Sequence, residues 1–398
     1  MEYSESTIAP DIFRLWSGIA LLAGALERRC WARVGEYKTF PNLFTVFVAR
    51  PAVGKYVIED VNELWRSVKK PGKEEKAFSV APSNMTKASL LDALADARKS
   101  FLPPAGPPVE NHSMLIAAEE MAVMMPRWDT EFIGVLNKIW NNPPVHSETR
   151  RTGRVLEIVI PEPQLNILTG VQPGWLSSAF PPEAWSTGLT SRMILVYAAH
   201  PPDKDIFSSY PLREAKRTRL LAHLSAISSL YGEWTIEPDV IEILRSYGRG
   251  DKGPLPVPFH SKLENYVPRR TLHLIKIMLV SAVARDPLGR LITTEDLNRS
   301  QVWLLEAESL MPDIFRAMLG KSDREVIEEL HYHLSNLYAL SGNKPVHEGR
   351  VWDFLSERVP SERVGKIVEV ALMSDIITKE AGEPFYRPRP VFSHRGIE

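Results

Sequence analysis

The chain has 398 residues, 44% hydrophobic and 24% charged, enough for one large core with one or two satellites. Its 48 basic and 49 acidic residues nearly cancel, which excludes a global basic field and confines any nucleic-acid contact to local patches. The single cysteine, Cys30, excludes an intramolecular disulfide and, flanked by Arg28, Arg29 and Trp31, fits a reducing, cytoplasmic setting.

The acidic start has no basic leader ahead of an apolar run, so it does not read as a secretory signal. Leu15 to Leu26 is the most apolar early stretch; a bilayer span needs about 20 residues, so it reads as a buried helix of a soluble protein with no membrane partner. Asp11 to Val34 is expected to be helical, ending near Gly35, which sets an N-terminal helical segment at residues 1–36.

Residues Leu43 to Val57 read LFTVFVARPAVGKYV: a buried-strand run, a Pro-containing turn, then Gly54-Lys55 opening a helix. That order is the signature of a phosphate-binding loop. Backbone N–H groups of Pro51 to Tyr56 (Pro51 itself excepted) face an anion, Lys55 reaches the outer phosphates, and the helix N-terminus adds its dipole. Two positions depart from G-x-x-x-x-G-K-[ST]: Ala49 replaces the first glycine and Tyr56 the small hydroxyl. A turn glycine and a solvated lysine are the competing reading.

Helix Lys55 to Val68, a strand at Ala77 to Ala81 and a helix capped by Asn84 or Thr86 follow. Leu102 to His112 is Pro-rich and reads as a surface loop. The continuous apolar run Met114 to Ala118, ending in Glu119-Glu120, reads as a central strand covered on both faces. At such a strand end one carboxylate, Glu119, helps hold Mg²⁺ and the other, Glu120, activates water; helix-start glutamates are the alternative. A helix, Asp129 to Trp140, with Asp129 as N-cap, precedes a hairpin around Ser147 to Arg154. Arg150, Arg151 and Arg154 crowd its tip, as a nucleic-acid contact or as a solvated basic turn. Leu165 to Thr169 is the next core strand; Gln172 to Ser191 is loop-rich, and Met193 to Ala198 is the last strand. Arg192, just before it, reads as a finger toward a neighbouring subunit's phosphate or as a surface salt bridge.

Strands alternating with helices over residues 37–200 imply a largely parallel α/β sheet. Residues 201–320 read as all-helical, and within them Arg269, Arg270, His273 and Lys276 form a basic stripe open to phosphate contact, DNA contact or plain solvation. Residues 321–398 read as three helices and a β-ribbon, a winged-helix layout, with Arg363 and Lys366 on the third helix and Arg387 and Arg389 in the tail open to contact with a duplex backbone or, as winged helices equally serve, with a protein. No Cys/His metal spacing and no nucleophile elbow are present.

The segments PNLFTVFVARPAVGKYV, SMLIAAEEM, PQLNILTGVQPGWLSSAFPPEAWSTGLTSRMILVYA and LENYVPRRTLHLIKIMLVSA together resemble P-loop ATPases of phages and mobile elements. These look like replicative, primase-associated DNA helicases with a RecA-like or AAA+-like core, over about residues 10 to 315. The resemblance implies ATP and Mg²⁺ as cofactors, nucleotide binding at Gly54 and Lys55, metal-water chemistry at Glu119 and Glu120, sensing by Asn166, and activation in trans by Arg192. It also implies a homo-oligomeric ring, commonly of six subunits, around DNA, with a replication protein as further partner. The expected function is an ATP-dependent helicase or translocase motor; the alternative, motivated by Tyr56, is a hydrolysis-deficient scaffold or loader-like adaptor.

Overall fold

The apolar stripe at the start forms α1 (Asp11–Leu26), but the helix stops there rather than at Val34. Glu27 turns into the left-handed region at φ 48°, a short 3-10 turn carries Arg28 and Arg29, and Cys30–Val34 becomes a strand, β1. Helix α1 is buried almost all round, as an apolar helix must be, and Phe13 stacks on Phe47 with ring centroids 4.4 Å apart. The computed structural model describes residues 3–389 except 83, 103–105, 126–127, 153, 181–183, 186–187, 204–212, 249–252, 319–322, 360 and 381.

After β2 (Tyr37–Thr39) come β3 (Phe44–Val48) and α2 (Val57–Ser67). The expected strand at Ala77 to Ala81 is reduced to a parallel bridge between Val80 and Leu115. Thr86 and Ser89 form a reciprocal cap for α3 (Lys87–Asp96). The expected surface loop is partly strand: β4 (Arg98–Phe101) pairs antiparallel with β5 (Val109–Ala118), which starts five residues earlier than its apolar run. Next are α4 (Met121–Met124) and α5 (Thr130–Trp140), the latter capped by Asp129, whose carboxylate accepts from Glu131 and Phe132 N–H. The hairpin β6 (Val145–Thr152) and β7 (Arg154–Pro161), strand β8 (Pro163–Val171), helix α6 (Pro173–Ala179) and β9 (Met193–Tyr197) follow.

The central sheet has the order β4-β5-β8-β3-β9, with β5, β8, β3 and β9 mutually parallel. Every residue of β3, β8 and β9 is buried, which explains their mainly apolar, non-alternating sequences; Thr45, Gln164, Asn166 and Thr169 are the polar side chains buried among them. The chain passes from β3 to β5, returns to β8 between them, then crosses to the far side of β3 as β9. The strand order therefore reverses beside β3, and ligands of open α/β sheets collect at the carboxyl edge of such a point.

Residues 213–318 supply α7 (Arg213–Ile227), α8 (Pro238–Gly248), α9 (Arg270–Arg285) and α10 (Thr294–Met318). Two strands interrupt what the sequence presents as all-helical: β10 (Gly232–Ile236) and β11 (Leu291–Ile292). They join β1 and β2 in a second sheet, β11-β10-β1-β2, with β10 parallel to both β1 and β11. Because β10 pairs with β1, and α9 and α10 pack on α1 and β9, the segments separated in sequence at 36 and 200 share one core.

The chain thus forms two compact units, Met1–Met318 and Leu319–Glu398. The second contains α11 (Asp323–Leu340), β12 (Val346–His347), α12 (Glu348–Ser356), α13 (Ser361–Met373), β13 (Ile377–Lys379) and β14 (Phe385–Pro388). Its sheet has the order β12-β14-β13, all antiparallel, over a separate core that includes Val326, Leu330, Val351, Ile367 and Ile377. Among the described residues no helix is long and apolar enough to cross a membrane.

Candidate functional site

Strand β3 delivers the chain to a turn, residues 49–56, at the carboxyl edge of the sheet. Ala49 still belongs to the ladder, donating its N–H to Val171 O at 3.1 Å. The left-handed backbone falls later, at Ala52 (φ 64°) and Gly54 (φ 107°), so the missing first glycine costs nothing at Ala49. Pro51 and Ala52 are exposed, while Val53, Gly54 and Lys55 are buried.

Lys55 lies across the end of β8 and its Nζ donates to Glu120 Oε1 at 2.8 Å; the lysine side chain is 5% exposed and the glutamate 37%. A glycine makes this route possible. A Cβ on Gly170 would stand 2.3 Å from Glu119 O and 3.0 Å from Lys55 Cδ. The isolated glycine inside β8 is the sequence signal for that close approach, a signal separate from the phosphate-loop motif. Gln172, the first residue past β8, is a second polar group at this edge, and it lies outside the phosphate-loop motif. Glu119 is exposed and Glu120 half-buried where β5 ends. Lys55 and Glu120 are therefore brought together, with the Glu119 backbone beside them and its side chain open to solvent.

The other predicted residues fall elsewhere. Tyr56 is 42% exposed and its hydroxyl hydrogen-bonds to the backbone of Ile8; burial raises its pKa, and that hydrogen bond partly offsets the shift. A Cβ on Gly54 would meet Ile8 O at 2.6 Å and Ala9 Cα at 2.7 Å, so the N-terminal segment fills the space beside this glycine. Thr7 adds a hydrogen bond to Asp60 of α2, which also pairs with Arg213 at 3.1 Å.

Asn166 is buried near the middle of β8, paired with Leu115, and its Oδ1 accepts from Leu43 N–H at 3.0 Å. It lies four residues before Gly170 and does not join the Lys55 cluster. Arg192 is at the opposite edge of the sheet, because the next residue, Met193, pairs with Phe44 at the start of β3. Four strand steps of about 3.3 Å separate the two edges by about 13 Å. Its side chain is 9% exposed, donates to Gly188 O at 2.7 Å and faces Trp140.

Arg150, Arg151 and Arg154 stand at the end of the β6–β7 ladder, where Arg151 pairs with Val155 and Thr152 with Arg154. Their side chains lie outside the described residues. In the second unit Arg363 pairs with Asp323 of α11, and Lys366 is exposed one turn later on α13. Arg387 is bonded to Glu380 at 2.5 Å.

A magnesium ion held by the chain alone does not fit this donor set. The Tyr56 hydroxyl is turned to Ile8, Glu120 is engaged by Lys55, and among the described residues no group of three or more acidic, His or Cys side chains is placed to hold a metal. An ion held mainly by phosphate oxygens and waters, needing one carboxylate, does fit Glu119. Compared with known proteins, the chain matches no family model and no curated protein, so the reading of the site rests on its geometry.

Proposed function

We propose that this chain is a P-loop ATPase of the DNA helicase or translocase kind, binding ATP at the carboxyl edge formed by β3, β5 and β8. One observation carries the reading: a buried lysine, seven residues past the end of β3, crosses a glycine of β8 to reach a carboxylate at the end of β5. In this reading the incoming phosphates take over Lys55 from Glu120, and the freed carboxylate orients and deprotonates the attacking water. Glu119 would hold Mg²⁺, which supplies charge neutralisation on the phosphates when bound. The turn backbone and the start of α2 receive the phosphates without further movement of β3.

The DNA-motor part of the proposal is supported by the basic hairpin end and by the order of the second unit. A long helix, a short strand, two helices and a two-strand ribbon closing a three-stranded sheet is the layout of a winged helix, with Lys366 exposed on its third helix. Arg192 faces Trp140 within its own chain, so the proposal gives it no role as a finger toward a neighbouring subunit. A DNA-stimulated ATPase assay on wild type, Lys55→Ala and Glu120→Gln tests the proposal: wild-type turnover no faster than either variant sinks the motor.

The bond from Tyr56 to Ile8 favours a second reading, ATP binding without turnover by a loader-like DNA adaptor. Tyrosine places no hydroxyl where a compact octahedral shell needs one. Tight binding of ATP with no hydrolysis selects this reading over the first.

A further inference from the structure

Three cations converge on the indole of Trp140 at the amino edge of the sheet, away from Lys55. The guanidinium carbons of Arg192 and Arg269 each lie 5.5 Å from the ring centroid, and Lys276 Nζ lies 3.6 Å from it. They come from the turn ahead of β9, the turn ahead of α9, and the second turn of α9. The basic stripe, for which the sequence leaves phosphate contact, DNA contact and plain solvation open, is folded inward at Lys276 and His273, which are 2% and 0% exposed, so plain solvation does not describe it.

Among the described residues every hydrogen-bond partner of these cations is neutral. Arg192 Nη1 donates to Gly188 O at 2.7 Å, Arg269 Nε to Ser191 Oγ at 2.9 Å, and Lys276 Nζ to Asn42 O and Oδ1 at 3.0 and 2.8 Å. Among the described residues no carboxylate pairs with any of the three; Glu308, on α10, has both oxygens committed to Arg270 and Tyr266. Arg192 is more than nine-tenths buried, yet its Nε has no partner, and neither has the buried Nδ1 of His273. Burial lowers the pKa of all three cations, to about 10 for Arg192, and their proximity adds to the shift for Arg192 and Lys276.

Buried charge without a counter-charge is strongly destabilising, and folded proteins seldom carry it without a ligand. Guanidinium forks match tetrahedral oxyanions with two parallel hydrogen bonds, and three cations with no acid suit a dianion better than a single carboxylate. Arg269, half-buried, gives the cluster its opening to solvent. We infer that Arg192 and Arg269, set on Trp140 with Lys276, form a binding site for one phosphate-type oxyanion, separate from the Lys55 edge. The inference is independent of nucleotide chemistry at Lys55.

Thermal unfolding of the full chain in inorganic phosphate against chloride, at equal ionic strength, tests it. Wild type gains about 2 °C or more in Tm at saturating phosphate. Arg269→Gln loses that gain while its phosphate-free Tm is no lower than wild type, since one of the repelling cations has gone. Lys55→Ala keeps the gain. Arg192→Lys, which keeps the charge without the fork, binds phosphate at least tenfold more weakly in calorimetry. A short oligodeoxythymidine bound only when 5′-phosphorylated assigns the oxyanion to a strand end; response to inorganic phosphate alone assigns it to the free ion. No phosphate-specific gain in wild type overturns the site, as does a gain that survives Arg269→Gln and vanishes in Lys55→Ala.

Discussion

Lys55 and Glu120 are held as an ion pair, Nζ to Oε1 at 2.8 Å, by the ends of two strands that are not neighbours in the sheet: β8 lies between β3 and β5. The lysine is buried and the glutamate partly open to solvent, so the partner an arriving anion can displace is the glutamate. The two substitutions therefore act in opposite directions on nucleotide affinity. Lys55→Ala removes a charge-assisted hydrogen bond of about 1.5–3 kcal/mol and weakens ATP at least tenfold. Glu120→Gln removes a competitor worth up to about 1 kcal/mol and tightens ATP by about twofold to fivefold, while hydrolysis falls. Calorimetric titration of both variants checks the pair of signs; weaker binding in both contradicts the displacement model.

Gly170→Ala places a methyl against Glu119 O and the Lys55 arm. The clash is with backbone on one side, so it is relieved by moving the lysine or the end of β5. The expected cost is about 1–3 kcal/mol of stability, read by denaturant unfolding, together with loss of ATP binding in protein that remains folded. A Gly170→Ala protein with wild-type affinity would show that the Lys55 route over β8 does not matter.

Tyr56→Thr restores a small hydroxyl next to Lys55 and removes the bond to Ile8, at a cost of about 1 kcal/mol. Mg²⁺-dependent hydrolysis is expected to rise at least tenfold. Turnover that stays at the wild-type rate, with binding intact, places the limit on catalysis elsewhere than at this hydroxyl.

Acid sensitivity of the first unit should trace partly to His273, whose pKa burial pushes down to about 3. The folded imidazole stays neutral while the unfolded chain takes up a proton below about pH 6.5, so stability is present at neutral pH and falls as pH drops toward 3. The loss attributable to this group is about 1 kcal/mol between pH 6.5 and 5.5. His273→Phe, which keeps a ring beside Tyr266 and Trp140, should show a correspondingly shallower decline in urea midpoints. An unchanged slope removes His273 from the account.

The central strands were legible because burial on both faces writes β3, β9 and the end of β5 as mainly apolar, non-alternating runs between turn residues, with β8 readable from its apolar residues despite Gln164, Asn166 and Thr169. Strand β1 was not, since the short run Cys30–Val34 continues an apolar helix in sequence and is held extended between its hairpin partner β2 and β10, about 200 residues later. The same pairing hid β10 among helices and merged the three expected segments of the first unit. At the site, Glu119 and Glu120 are readable because they directly follow β5, and Lys55 because it closes the Gly-containing turn between β3 and α2. The approach of Ile8 to Gly54 and the inward burial of Arg192 depend on tertiary packing, and no local pattern announces either.

The most direct measurement is a titration of the full chain with a non-hydrolysable ATP analogue and Mg²⁺, run in parallel on wild type and Lys55→Ala. Saturable binding at one site per chain, at least tenfold weaker in the variant, is the predicted result. Absence of binding by wild type, or equal affinity in the two proteins, contradicts a nucleotide site at Lys55.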